Sequence, residues 1–178
     1  MRYFLAIDLP EEAKVALMKV QKQLPEAKFK LVEPENLHLT LKFFGELSDF
    51  QVNKVKEALS KIKFEKFKAS LGSIGVFPSS NFVRVVWVSM EPIDKVKELH
   101  NLIDVALEKQ KFSQDKAFES HITLARVKFI KNKEEFVKKL KEIKANSIEF
   151  QVNKFSLKKS TLTKQGPIYE TIKEFELD

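Results

Sequence analysis

Apolar residues run from Tyr3 to Ile7 and resume at Leu9 after Asp8, the pattern of a buried strand. Pro10 then opens a segment in which Val15, Leu17, Met18 and Leu24 recur at helical spacing, with Pro25 near its end. Phe29 to Val32 and Leu37 to Phe44 read as strands separated by a Glu33-Pro34-Glu35-Asn36 turn. Ser48 and Gln51 form a capping-box signature ahead of Val52, Val55, Ala58, Leu59 and Ile62, which mark a helical face. Phe67 to Phe77 predicts a strand with irregularity at Gly72 and Gly75. The order then returns. Phe82 to Met90 is a strand, Pro92 opens a helix bearing Ile93, Val96, Leu99, Ile103, Ala106 and Leu107, and His121 to Phe129 is a strand. Asn132 caps a helix carrying Phe136, Val137, Leu140 and Ile143, and strands follow near Ile148 to Leu157 and Ile168 to Leu177.

The two series agree in spacing as well as order. Pro10 precedes His38 by 28 residues and Pro92 precedes His121 by 29, while Asp49 and Asn132 each lie 11 residues beyond their histidine. Such a duplication predicts an α+β protein, a single bilobal domain spanning 1–178 with halves at approximately 1–80 and 81–178. Each half supplies an antiparallel sheet with outer helices on one face, and the uncovered faces become the walls of a central cleft.

Within the repeat, His38-Leu39-Thr40-Leu41 and His121-Ile122-Thr123-Leu124 are one pattern written twice, 83 residues apart. Side chains alternate along a strand, so each copy presents an imidazole and a hydroxyl on one face and two aliphatic residues on the other. Packing repeats hydrophobicity; it does not repeat a polar pair. Two imidazoles converging across a cleft can take and give protons near neutral pH, and two hydroxyls can donate to an anion. His100 has no threonine two residues on and lies among Val96, Ile103 and Leu107, so it reads as structural.

Composition narrows the chemistry. With 178 residues, 43% of them hydrophobic, the chain can bury a substantial core. The absence of cysteine excludes disulfides, zinc–thiolate sites, iron–sulfur clusters and thiol nucleophiles. No metal site is expected, because each motif offers one good ligand and no His-Glu-x-x-His helix is present. No apolar run is long enough to span a membrane, and the start of the chain lacks a signal cleavage pattern, so a cytoplasmic protein is expected. A net charge of +7, with arginine only at Arg2, Arg84 and Arg126, is compatible both with polyanionic partners and with adaptation to high temperature.

The strings Arg2-Tyr3-Phe4-Leu5-Ala6-Ile7, Glu35-Asn36-Leu37-His38-Leu39-Thr40-Leu41-Lys42-Phe43-Phe44-Gly45 and His121-Ile122-Thr123-Leu124-Ala125-Arg126 resemble the 2H phosphoesterase superfamily. Within it they are similar to the RNA 2′,3′-cyclic phosphodiesterase family, also called 2′-5′ RNA ligases; Phe77-Pro78 and Arg84-Val85-Val86-Trp87 add to the likeness. The resemblance implies pseudo-twofold symmetry, both motifs in one cleft, and hydrolysis of RNA 2′,3′-cyclic phosphate ends to 2′-phosphomonoesters without a metal or other cofactor. It further implies His38 as proton donor, His121 as proton acceptor, Thr40 and Thr123 as phosphate donors, and Arg126 as a phosphate-binding arginine.

Strict alternation turns Arg126 away from the His121 face, so the likeness and the strand period disagree there. The same period carries Lys42 onto the cleft face after His38 and Thr40, as a phosphate contact. Phe43 and Phe77 are candidate base contacts. Of Arg84 and Trp87, which face oppositely, Arg84 is the expected substrate contact. Tyr169 reads as a core or edge tyrosine. Expected partners are RNA with cyclic phosphate ends, tRNA halves among them if an RNA 5′-hydroxyl replaces water and a 2′-5′ linkage forms, and nucleotides; the chain is expected to be a monomer and to bind no membrane. The competing readings are a phosphodiesterase for 2′-5′ oligonucleotides or ADP-ribose cyclic phosphate, and a noncatalytic RNA-end-binding protein.

Overall fold

A computed structural model describes residues 1–178. The first series is β1 (Arg2–Asp8), α1 (Glu11–Gln23), β2 (Lys28–Leu31), β3 (His38–Glu46), α2 (Asp49–Leu59) and β4 (Phe67–Ser79). The second is β5 (Phe82–Glu91), α3 (Ile93–Glu108), β6 (Ile122–Phe129), α4 (Lys133–Glu142), β7 (Glu149–Val152), β8 (Lys154–Leu162) and β9 (Pro167–Glu176). Local chemistry sets several boundaries. Ser48 Oγ accepts from the Gln51 amide while Gln51 Oε1 accepts from the Ser48 amide, and Asn132 Oδ1 accepts from the Glu135 amide. The strand expected over 148–157 divides at Asn153, because β7 pairs with β4 whereas β8 pairs with β1 and β9.

All pairings are antiparallel, in the order β7-β4-β5-β6-β3-β1-β8-β9, with β2 also on β6. The order conceals a seam. β3 and β6 meet through the single residue pair Leu39 and Ile122, each with no exposed surface. Beyond that point β6 is taken up by β2, which reaches β3 through the one-turn 3₁₀ helix Pro34–Asn36. Two sheets therefore share one backbone contact: β1, β3, β8 and β9 on one side, β2, β4, β5, β6 and β7 on the other.

These lobes cut across the numbering. β4 follows α2 in the first series but forms a hairpin with β5, and β8 follows α4 in the second but pairs with β1. β1 is a central strand: β3 occupies one edge, and the other edge is completed by β8.

The larger apolar cluster joins Ala13, Leu17 and Val20 of α1, Val52, Val55 and Leu59 of α2, and Val96, Leu99, Ile103 and Leu107 of α3 to residues of both sheets. A smaller one places Phe136 and Leu140 of α4 against Val83, Val86, Ala125 and Val127. The helices thus cover one side of each sheet and leave the other sides to face one another. No helix is long and apolar enough to cross a membrane. Because Leu39 lies in the core at the seam, Leu39→Ala is expected to lower the free energy of unfolding by about 2–5 kcal/mol. Urea titration followed by circular dichroism should show that loss in one transition; two separated transitions would contradict a core shared by both lobes.

Candidate active site

Residues from both lobes enclose a cleft of about 680 Å³. His38, Thr40, His121 and Thr123 all line it, on the two residues either side of Leu39 and of Ile122. The imidazoles are held alike. His38 Nδ1 lies 2.7 Å from the Asn36 carbonyl oxygen and His121 Nδ1 lies 2.8 Å from that of Glu119, in each case two residues back. A carbonyl only accepts, so Nδ1–H donates in both rings and Nε2 is left for chemistry. His38 Nε2 is 2.9 Å from Thr40 Oγ1, which donates to it while the ring is neutral.

A β-bulge interrupts each motif strand at the same place. Opposite β1, Leu5 faces Lys42 and Ala6 faces Thr40, so Leu41 is the extra residue; opposite β5, Val86 faces Ala125 and Trp87 faces Thr123, so Leu124 is. Two consecutive side chains then point to the core, and the period restarts one residue later. That shift resolves the Arg126 conflict: its side chain lines the cleft. It also brings in Phe43, the residue 83 positions earlier, which is 72% exposed.

The expectation for Lys42 is corrected by the same bulge. Lys42 is only 4% exposed and lies outside the cleft, with Nζ 2.5 Å from Asp104 Oδ1, 3.2 Å from Asp115 Oδ1 and 2.9 Å from the Ser113 carbonyl. His100 belongs to this buried group, with Nε2 3.0 Å from Asp115 Oδ2 and its ring stacked on Phe118. His100, Asp104 and Asp115 are clustered closely enough to resemble a cation site, and the Lys42 ammonium supplies the positive charge there. The other bulge is braced by Gln21 of α1, whose Nε2 donates to the carbonyls of Leu124 and Val32, both at 2.9 Å. Gln21 and Asp104 are themselves 83 residues apart, so each half of the chain braces the bulge of the other.

Arg84 is the second correction. It is the extra residue of a bulge opposite the β4 pairs Phe77 with Val85 and Pro78 with Val83, and its guanidinium lies 4.5 Å from the centre of the Phe82 ring, outside the cleft. Val85 takes the cleft position beside Arg126, and Trp87 approaches His121 at 6.2 Å between ring centres. The indole packs against Gly75, where an added Cβ would collide with Trp87 Cζ2. Phe77 meets the His121 ring edge-on at 5.0 Å. On the facing wall, Tyr169 stands edge-on to His38 at 5.4 Å and lines the cleft. The sequence pattern reads it as core or edge; its place depends on the hairpin of β8 and β9, whose Gln165 and Gly166 also line the cavity.

A family model described as LigT like Phosphoesterase matches residues 7–88 and again 86–169, so the two copies account for nearly the whole chain. The protein belongs to this phosphoesterase family. An RNA 2′,3′-cyclic phosphodiesterase from Methanocaldococcus jannaschii is 41% identical over 177 residues, covering 98% of this chain and 100% of that one. Among solved structures, TT0787 of Thermus thermophilus aligns with a TM-score of 0.83 and 28% identity over 99% of this chain and 97% of that one. LigT of Escherichia coli complexed with 3′-AMP aligns with a TM-score of 0.82 and 27% identity, again over 99% and 97%.

In this LigT-like phosphoesterase the cleft sets the protonation of His38. Burial lowers the pKa of His38 to about 4, with smaller lowering by Lys158 and His121; the Asn36 carbonyl and Asp8 pull the other way. Above that pH the free ring is neutral. Burial also raises the Tyr169 hydroxyl, against the charge of Arg126.

Two outcomes follow from this geometry. An anion bound at Nε2 favours the imidazolium, so the His38 ring resonances should titrate near pH 4 in the free protein and about 1–3 pH units higher with a bound nucleoside 2′-monophosphate; an NMR titration with an unmoved midpoint would contradict it. Lys42→Met strips two carboxylates of their counter-charge and should cost about 3–5 kcal/mol in urea unfolding. A variant of undiminished stability that lost substrate affinity would return Lys42 to the cleft.

Proposed function

We propose that the protein hydrolyses 2′,3′-cyclic phosphate ends of RNA to 2′-phosphomonoesters, using His38 and His121 as its two proton carriers. The observation that carries this reading is the pair of imidazoles in one cleft, each fixed through Nδ1 by a backbone carbonyl two residues back, with the hydroxyl-bearing Thr40 and Thr123 lining the same cavity. The activity borne by the Methanocaldococcus jannaschii relative agrees with it, as does a nucleoside monophosphate complex of the Escherichia coli relative.

In the proposed cycle, water attacks phosphorus and its proton passes to His121 Nε2. The P–O3′ bond breaks, and His38 Nε2–H delivers a proton to the departing 3′-oxygen, leaving the phosphate on O2′. Thr40, Thr123 and Arg126 donate to the nonbridging oxygens as charge accumulates. Since His38 is neutral in the free protein above about pH 4, it takes up its proton with the anionic substrate. Protonation at Nε2 removes the acceptor that Thr40 uses, and the hydroxyl hydrogen then turns to the phosphate. Charging the acid and arming one donor are thus one event. With an RNA 5′-hydroxyl in the place of water, the same steps make a 2′-5′ bond, which extends the substrates to tRNA halves when the second end is held in line.

The test is incubation of the protein, in chelator, with RNA bearing a defined terminal 2′,3′-cyclic phosphate. A 2′-phosphate should form, and His38→Ala and His121→Ala should each lower kcat by about 10²–10⁴. A 3′-phosphate product, or full activity in either variant, would overturn the assignment.

A further inference from the structure

Past Arg126, which meets the terminal phosphate, β6 and β2 build a surface that the hydrolysis does not use. Lys30 is directly opposite Arg126, and both side chains line the cleft. Like charges across a strand pair repel, and neither residue has an acidic partner within ion-pair distance. Lys30 Nζ is held only by the Gln165 carbonyl, at 3.3 Å.

One row further out, a second bulge makes Lys128 the extra residue, so that Phe29 faces Val127 and Lys28 faces Phe129. Phe29 and Val127 pack against the α4 side. Lys28 and Phe129 therefore stand on the opposite face, that of Lys30 and Arg126. Phe129 is 61% exposed, belongs to neither apolar cluster and pairs with no other ring. Lys28 likewise has no ion pair. Lys28 and Lys30 are two residues apart, about 7 Å along the strand. Outward from the cleft the face thus offers a pair of cations, then a cation beside a bare aromatic face. This is the combination that tracks a single-stranded nucleic acid: charge for the backbone and a ring for a base.

We infer that Phe129 and Lys28 form a subsite for the nucleotide preceding the terminal one, Phe129 stacking its base, Lys30 meeting the phosphate between the two nucleotides and Lys28 the phosphate on the 5′ side of the stacked one. The inference rests on the hydrolytic reading above and adds to it the part of the RNA that the protein holds. Its occupant is the substrate strand itself, since that strand must continue from the cyclic phosphate and carries the charge that the surface lacks.

The experiment compares kcat/KM for a nucleoside 2′,3′-cyclic phosphate with that for di- and trinucleotides ending in the same group. The dinucleotide should gain at least about fivefold over the mononucleotide. Phe129→Ala and Phe129→Leu should abolish the gain, Phe129→Tyr should keep it, and all three should turn over the mononucleotide at the unsubstituted rate. Lys28→Gln should flatten the salt dependence for the trinucleotide alone, by about one unit of slope. Turnover of the mononucleotide without a length gain, or a gain that survives Phe129→Ala, overturns the subsite and leaves the hydrolytic reading standing. Absence of turnover on every cyclic phosphate overturns both. A Phe129→Ala variant that changes oligomeric state in light scattering but keeps the length gain assigns the ring to a contact between copies instead.

Discussion

One backbone pairing, Leu39 with Ile122, holds the two sheets in register at the cleft. Both residues are the middle of a His-x-Thr triplet and both are wholly buried, so their neighbours on either side are obliged to face the opposite way. A slip of one residue would exchange the four polar side chains for aliphatic ones. The core thereby enforces the site: the cost of exposing Leu39 and Ile122 is what keeps two imidazoles and two hydroxyls turned into the same cavity.

The bulges add what pleating alone forbids. After Thr40 and Thr123 the chain needs a further cleft residue, yet the next one in period falls on a side chain that the core retains. An extra residue restarts the alternation and delivers Phe43 on one wall and Arg126 on the other. Each bulge is fastened from the other half of the chain, Leu124 by the Gln21 amide and Lys42 by the Asp104 carboxylate. The braces correspond in position but not in chemistry, one being a neutral hydrogen bond and the other an ion pair. Likewise Phe43 and Arg126 correspond in position but offer a ring and a cation. A cleft built from equivalent parts therefore has unlike walls.

The duplication, the helix caps at Ser48 and Asn132, and the facing of all four motif side chains are legible in the sequence, because periodicity and capping act over a few residues. Lys42 and Arg84 defeat the strand period for a common reason. Each lies at or beside a bulge, and the Lys42 bulge is stabilised by Asp104 and Asp115, more than sixty residues away in the chain, which no strand period can register. Tyr169 escapes it because its position depends on the β8–β9 hairpin folding back beside β1. In each instance the local pattern is sound and a distant contact redirects it.

The exchange of β4 and β8 has a consequence for what the duplication is. If the chain were severed between the two series, neither piece would possess a complete sheet: the first would give up the strand that belongs beside β5, and the second the strand that belongs beside β1. Two such pieces would have to clasp one another, each lending an arm. The molecule has the architecture of an intertwined dimer written as one polypeptide, and the covalent link lets the two arms differ.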